Sequence, residues 1–229
     1  MAAENIITID GPAGSGKSTV AKILARELGL KYIDTGAMYR AITLASIKNN
    51  IDCNDEDSII KLSENLKIEF GSGSLDERRY TKISINGTDV TEEIRSREVG
   101  SAVSIVSKLS GVRKNLVGLQ RKLVKKGNAV LEGRDTGSVV YPEATLKIYL
   151  TADLKERINR RGLQVEQKGS FLKKEIIREE IISRDKIDIG RKDSPLVIPE
   201  NGVVIDTTNM TIRNVVDEIK KLYLEKLNA

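Results

Sequence analysis

The chain has 229 residues, 31% of them charged and 39% hydrophobic, and a net charge of +5. Its single cysteine, Cys53, excludes an internal disulfide, and no apolar run approaches the roughly 20 residues of a membrane-spanning helix. Aromatic residues make up 3% and tryptophan is absent, too few for base-stacking platforms, so the basic excess points to phosphorylated small molecules rather than to nucleic acid.

Met1–Asn5 is short and polar, unlike a secretion signal, and a cytoplasmic protein without membrane attachment is expected. Ile6–Asp10 is rich in β-branched residues and reads as a buried strand. Val20, Ile23, Leu24 and Leu28 then recur at helical spacing. Between them lie Gly11, Pro12, Ala13, Gly14, Ser15, Gly16, Lys17, Ser18 and Thr19, which fit the pattern G-x-x-x-x-G-K-[ST] with the strand before and helix after that it requires. Such glycines let consecutive N–H groups converge on one oxyanion, and the helix start adds the positive end of its dipole. Lys17 would reach the β- and γ-phosphates and the Ser18 hydroxyl would ligate Mg²⁺, so the stretch is a nucleoside-triphosphate site.

Tyr32–Ile33 reads as a short strand, Asp34-Thr35-Gly36 as a turn that caps a helix from Met38 to Ile47, and Ser58–Asn65 as a short helix. From Leu66 to Val90 the texture changes to alternation with turn dipeptides, including Gly71-Ser72-Gly73-Ser74, and predicts a small antiparallel sheet inserted into the chain. Helices are expected over Val99–Leu109 and Val112–Lys126, with Ser110-Gly111 as the break and Ser110 as the cap. Strands follow at Asn128–Leu131 and Leu146–Leu150, a basic helix at Leu154–Gln167, a helix from Leu172 to about Ile189, a strand at Gly202–Asp206 and a helix at Ile212–Leu227. Five parallel strands with helices between them give an α/β three-layer sandwich.

Several charged residues fall into candidate constellations. Arg184, Asp188 and Arg191 are spaced to share a helix face, and two arginines flanking a carboxylate suit a site for phosphate oxygens and a sugar hydroxyl; a solvated ion-pair ladder is the alternative. Ser104 and Arg113 would lie on opposite faces of one continuous helix, so they can meet one ligand only if the chain bends between them, which Ser110-Gly111 allows. Arg40 and Arg134 each follow a turn at the carboxyl end of a strand, where ligands gather in open parallel sheets. Arg157, Arg160 and Arg161 read as one basic stripe, which is ordinarily solvated.

The segments DTGAMYR (34–40), GRDTGSVVYP (133–142) and TADLKERINRR (151–161), taken with the phosphate loop, resemble bacterial-type cytidylate kinases, from about Ile6 to the last helix. The resemblance implies a P-loop nucleoside monophosphate kinase that phosphorylates CMP and dCMP to the diphosphates with ATP and Mg²⁺ by in-line transfer. It implies a discontinuous core (1–40, 105–153 and 191–229), a monophosphate-binding domain (41–104) with its β insertion near 66–90, and a lid (154–190). By the same resemblance Arg40, Arg134 and Arg191 hold the acceptor phosphate with Asp34 and Thr35 nearby, Arg184 and Asp188 face the ribose, and Ser104, Arg113 and Asp135 read cytosine. Lys17, Arg134 and the lid arginines Arg157 and Arg161 act on the transferring group. Small nucleotides are the expected partners, and a monomer is expected. Glu132 departs from the aspartate that many relatives carry there, which puts a metal role at that position in question.

Cytosine presents an amine donor and a carbonyl acceptor. A carboxylate can accept from the amine and a guanidinium can donate to the carbonyl and ring nitrogen, whereas uracil reverses the donor. An acceptor that is already a phosphate needs no general base, in keeping with a chain that has no histidine. Two other readings stay open at this point. A kinase acting on an alcohol would need a carboxylate base, for which Asp34 is the candidate. A GTP-dependent switch would need N-K-x-D and D-x-x-G segments, which do not occur in the expected places.

Overall fold

The computed structural model describes residues 5–71, 82–124, 127–167, 169 and 171–228. In chain order the elements are β1 (Ile6–Asp10), α1 (Lys17–Leu28), β2 (Lys31–Asp34), α2 (Thr35–Lys48), α3 (Glu56–Glu64), β3 (Ile68–Phe70), β4 (Ile83–Ile85), β5 (Thr88–Asp89), α4 (Arg97–Val106), α5 (Ser110–Val124), β6 (Ala129–Glu132), β7 (Leu146–Thr151), α6 (Leu154–Glu166), α7 (Lys174–Ile189), β8 (Val203–Asp206) and α8 (Ile212–Leu227). A 3-10 turn at Glu93–Arg95 precedes α4, and one π-helical turn, Thr136–Val140, follows β6.

The central sheet runs β2-β6-β1-β7-β8 with every pairing parallel. Side chains alternate across a strand, so a sheet covered on both faces needs apolar residues at every position. All five residues of strand β1 are buried, three of them isoleucines, with Thr8 and Asp10 as the polar exceptions. Ile7 and Ile9 pack with Val20 and Leu24 of α1 and Val216 and Ile219 of α8, while Ile6 packs on the opposite face with Ile33, Leu131 and Val124. The three-layer α/β sandwich expected from the sequence is therefore the fold. Helices α2 to α5 and strands β3 and β4 gather a further apolar cluster around Met38, Ile42, Ile59, Ile83 and Val103. The antiparallel strands β3, β4 and β5 confirm the inserted sheet, although Ser72-Gly73-Ser74 of the expected turn lies outside the described residues.

Register places the site. Asp34 aligns with Glu132, Ile9 with Glu132, and Asp10 with Tyr149, so the carboxyl ends of β2, β6, β1 and β7 form one edge. The turns leaving that edge carry the phosphate loop, Asp34, and the 133–137 segment. Two local expectations are corrected. The break between α4 and α5 falls at residues 107–109, not at Ser110-Gly111, which already belong to α5. Ser110 is not a cap: its hydroxyl donates to Asp193, and the exposed N–H of Gly111 is met by Glu56 Oε1 at 2.7 Å.

Candidate active site

The phosphate loop is shaped for an anion. Gly16, the residue preceding α1, is left-handed (φ 93°) and makes no side-chain cap hydrogen bond, so no capping side chain competes with an anion for the first N–H groups of the helix. Gly11 has φ 148° and lies so close to β7 that a methyl group there would collide with the Leu150 carbonyl. Gly11→Ala is therefore expected to displace the loop from the sheet. It should lower the melting temperature and abolish ATP binding; calorimetric titration with ATP checks this, and an unaltered affinity would place the nucleotide elsewhere.

Lys17 is 5% exposed, and its Nζ donates to the Pro12 carbonyl (2.7 Å) and reaches Ser15 Oγ (3.3 Å). Burial, reinforced by the charge of Arg134, drives its pKa well below the usual lysine value. The Ser18 hydroxyl donates to Glu132 Oε2 (2.8 Å), whose other oxygen accepts from the Tyr32 hydroxyl (2.5 Å). Burial, with Asp34 adding repulsion, raises the Glu132 pKa. Ser18 and Glu132 thus place two hard oxygen ligands side by side beside the loop, a donor set that suits Mg²⁺.

A second group of charged residues gathers around Asp188. Asp188 is 2% exposed and accepts from Arg134 Nε (2.7 Å) and from Arg191, with Arg184 Nε at 3.9 Å. Helix α7 ends at Ile189, so Arg191 is not on the helix as the spacing suggested; it returns to Asp188 from beyond Gly190. The solvated ladder is excluded. Burial alone would push the Asp188 carboxyl up, but Arg134, Arg184 and Arg191 outweigh it and hold it at about 2. The arginines meanwhile crowd one another. Burial, then Arg134 and Arg40, lower Arg184 to about 9, and burial, then Arg95 and Arg161, lower Arg40 to about 10. The Nε atoms of Arg184 and Arg191 have no hydrogen-bond partner among the described residues. A pocket with more guanidinium than carboxylate and buried donors to spare is built for a multivalent anion.

Arg113 is 2% exposed and donates to Asp135 Oδ2 (2.5 Å) and the Ser107 carbonyl (2.8 Å), with its guanidinium 5.1 Å from the centre of the Tyr39 ring. The chain bends at residues 107–109, between α4, which carries Ser104, and α5, which carries Arg113, and the Ser107 hydroxyl just past α4 donates to the Ser104 carbonyl (3.4 Å). Asp34 caps α2 by accepting from Ala37 N (2.9 Å) and pairs with Arg95 (3.3 Å), and the buried Thr35 hydroxyl donates to the Glu132 carbonyl (2.7 Å). The basic stripe of α6 divides. Arg157 is buried against the phosphate loop, donating to the Ala13 carbonyl (3.1 Å) and Asp185 (2.5 Å). Arg160 donates to Thr207, and Arg161 is exposed.

Sequence reasoning missed Asp10, Tyr39, Arg95 and Asp185. Asp10 and Tyr39 adjoin motif residues, which was a usable signal. Arg95 and Asp185 reach the site by contacts that no local pattern announces.

The family model described as cytidylate kinase matches residues 7–225. A cytidylate kinase from Caldanaerobacter subterraneus subsp. tengcongensis is 49% identical over 213 residues, 93% of this chain and 92% of its own. One from Carboxydothermus hydrogenoformans is 46% identical over 216 residues, 94% of this chain and 96% of its own. The fold is shared with an uncharacterized protein from Eubacterium ventriosum, at a TM-score of 0.53 and 13% identity, covering 95% of this chain and 97% of that one. A phosphate loop facing a buried arginine pocket across one sheet edge, within a sequence that follows these relatives almost from end to end, leaves one conclusion: the chain belongs to the cytidylate kinase family.

Proposed function

We propose that the protein transfers the γ-phosphoryl group of ATP to CMP and dCMP, releasing ADP and the nucleoside diphosphate. The observation that carries this reading is the Asp188–Arg134–Arg191 cluster lying beside the buried Asp135–Arg113 pair, across the sheet edge from the phosphate loop. The loop N–H groups and Lys17 hold the donor phosphates. Arg40, Arg134 and Arg191 hold the acceptor phosphate, with Asp34 and Thr35 beside them. Arg184 and Asp188 face the ribose. Asp135 accepts from the cytosine amine while Arg113, whose Nε is buried without a hydrogen-bond partner among the described residues, donates to the ring with Ser104. Ser18 and Glu132 would hold Mg²⁺, which neutralises phosphate charge when bound.

With an acceptor that is already anionic, the protein's task is alignment and charge neutralisation. Lys17, Arg134 and Arg157 are the guanidinium and ammonium groups nearest that task, with Arg161 reaching in from the exposed side of α6. A monophosphate-binding unit (41–104) would close on the core (1–40, 105–153 and 191–229) together with a lid (154–190), although the apolar cluster of α2 to α5 runs past both bounds of that unit, to Ala37 and Leu116. Closure would exclude water and spare ATP from hydrolysis. The single cysteine supports a cytoplasmic setting.

Triphosphate consumption with a panel of acceptors tests the reading. ADP release is expected with CMP and dCMP, at least about tenfold slower turnover with UMP, and none with simple alcohols or without acceptor. Asp135→Asn should narrow the CMP-to-UMP preference by about tenfold, the loss of one charged hydrogen bond. Equal rates with an alcohol would favour a metabolite kinase, and acceptor-independent GTP hydrolysis would favour a switch.

A further inference from the structure

Asp10, the last residue of β1, is completely buried. Its Oδ1 accepts from the Thr136 backbone N–H (2.9 Å) and the Thr136 hydroxyl (2.8 Å), and its Oδ2 accepts from the Gly137 N–H (2.7 Å). These are the first two N–H groups of the π-helical turn Thr136–Val140. A helical start leaves its first N–H groups without partners, and an aspartate in the preceding position ordinarily satisfies one with its own side chain. That position here is Asp135, and its side chain makes no capping hydrogen bond. It points instead to Arg113. The cap is delivered by a strand 126 residues away in sequence.

We propose that Asp10 is a positioning residue for acceptor selection: by capping the turn in place of Asp135, it leaves the Asp135 carboxylate free to pair with Arg113 and read the base. The inference rests on Asp135 being the base-reading carboxylate. Gly133 completes the arrangement from the other side. Its N–H donates to the Ile9 carbonyl (3.1 Å), and a methyl group at Gly133 would press on Thr35 Oγ1 (2.5 Å) and Thr136 Cγ2 (2.7 Å), so the segment is held at both ends. If Asp10 loses its acceptor capacity, Asp135 is already placed to cap the turn by ordinary geometry. In doing so it withdraws from Arg113.

The test is the ratio of kcat/KM for CMP to that for UMP, with ATP saturating. Both acceptors carry the same phosphate, so its titration cancels in the ratio. Asp10→Asn keeps the shape but sets an amide donor against an N–H, and it is expected to lower the ratio about tenfold while the KM for ATP changes by less than about threefold. A purely structural role would lower the melting temperature and both kcat/KM values together without moving the ratio. Asp135→Asn is measured alongside. If it leaves the ratio unchanged, the base-reading assignment itself fails. If it collapses the ratio while a folded Asp10→Asn protein keeps the wild-type value, only the role of Asp10 is overturned.

The wild-type protein supplies a measurement that needs no variant. Burial, partly offset by the hydrogen bonds from Gly137 and Thr136, raises Asp10 to about 6. The charged and titratable groups facing it are Asp135, Lys17 of α1 and Tyr149 of β7. The ratio is therefore expected to fall between about pH 8 and pH 5.5 as Asp10 takes up a proton. Where Asp10→Asn does not fold, a ratio that stays flat over that range overturns the proposal.

Discussion

Replacing Lys17 by alanine is expected to lower kcat by about 10²–10³-fold while leaving the affinity for CMP within about threefold of wild type. The ammonium is the one cationic side chain of the phosphate loop, and its hydrogen bonds among the described residues run to the Pro12 carbonyl and the Ser15 hydroxyl. Those partners are neutral, and burial opposes the charge strongly enough to drive its pKa well down. The group is thus kept in a place where it costs the fold stability, because the nearby carboxylates Glu132 and Asp10 offset burial and the charges of Arg134 and Arg184 only in part. The sign of the stability effect follows. A lysine whose folded pKa lies below its unfolded value counts against folding at neutral pH, so removing the charge relieves the protein. Lys17→Met should raise the melting temperature as it abolishes turnover. Calorimetry and single-turnover kinetics on the same preparation check both halves; a variant that keeps half its kcat would remove this loop from the donor site.

That opposition of stability and function bears on what the sequence could show. The phosphate loop was legible because strand, glycine spacing and helix are all local, and the same holds for Asp34 as a cap of α2. The alternation of Ile6, Ile7 and Ile9 between two apolar clusters made the buried parallel sheet legible as well. The Ser104–Arg113 bend was anticipated because two residues on opposite helix faces cannot meet one ligand. Its place was missed because Ser110-Gly111 looks like a breaker and is instead the start of α5, where Glu56 satisfies the Gly111 N–H from another helix. Arg191 was assigned to a helix face that ends two residues before it, although its partner, Asp188, is the expected one. Asp10 adjoins the phosphate loop, but its partners, like those of Asp185, were hidden for a different reason. Their hydrogen bonds cross 126 and 172 residues of sequence, to Thr136 and to the Ala13 N–H, and periodicity carries no information at that range. What spacing could not decide for the α6 arginines, packing did: Gly14 has no side chain, and the backbone of Arg157 lies against it, so Arg157 is drawn under the loop while Arg161 stays outside.

Asp188→Ala is expected to be the most damaging change on the acceptor side. The sequence alone allowed Asp188 to be a surface partner whose loss would go unnoticed; at 2% exposure, with Arg134 and Arg191 bonded to it and Arg184 at 3.9 Å, it is the shared counter-charge of those three arginines. Removing one partner of a buried ion pair leaves uncompensated charge and costs about 3–5 kcal/mol, so the melting temperature should fall by several degrees. The pH dependence has a definite sign. The folded carboxyl stands at about 2, below its ordinary value, so its contribution is complete above about pH 4 and is lost as pH falls through 2. The difference amounts to about 2 kcal/mol, and acid unfolding of Asp188→Ala should be correspondingly less steep over that window. Catalysis suffers through the same contacts. Arg134 and Arg191 lose the group that aims them, and on the proposed assignment the ribose loses an acceptor, so kcat/KM for CMP should fall by about a hundredfold or more while the KM for ATP stays within about threefold. Asp188→Asn restores shape and one acceptor oxygen without the charge and should fall between the two. Kinetics with CMP varied at saturating ATP, together with melting curves for both variants, decide the matter. An Asp188→Ala protein with wild-type kcat/KM would separate the arginine cluster from the acceptor site, and one that loses ATP affinity equally would make Asp188 a support for the whole sheet edge.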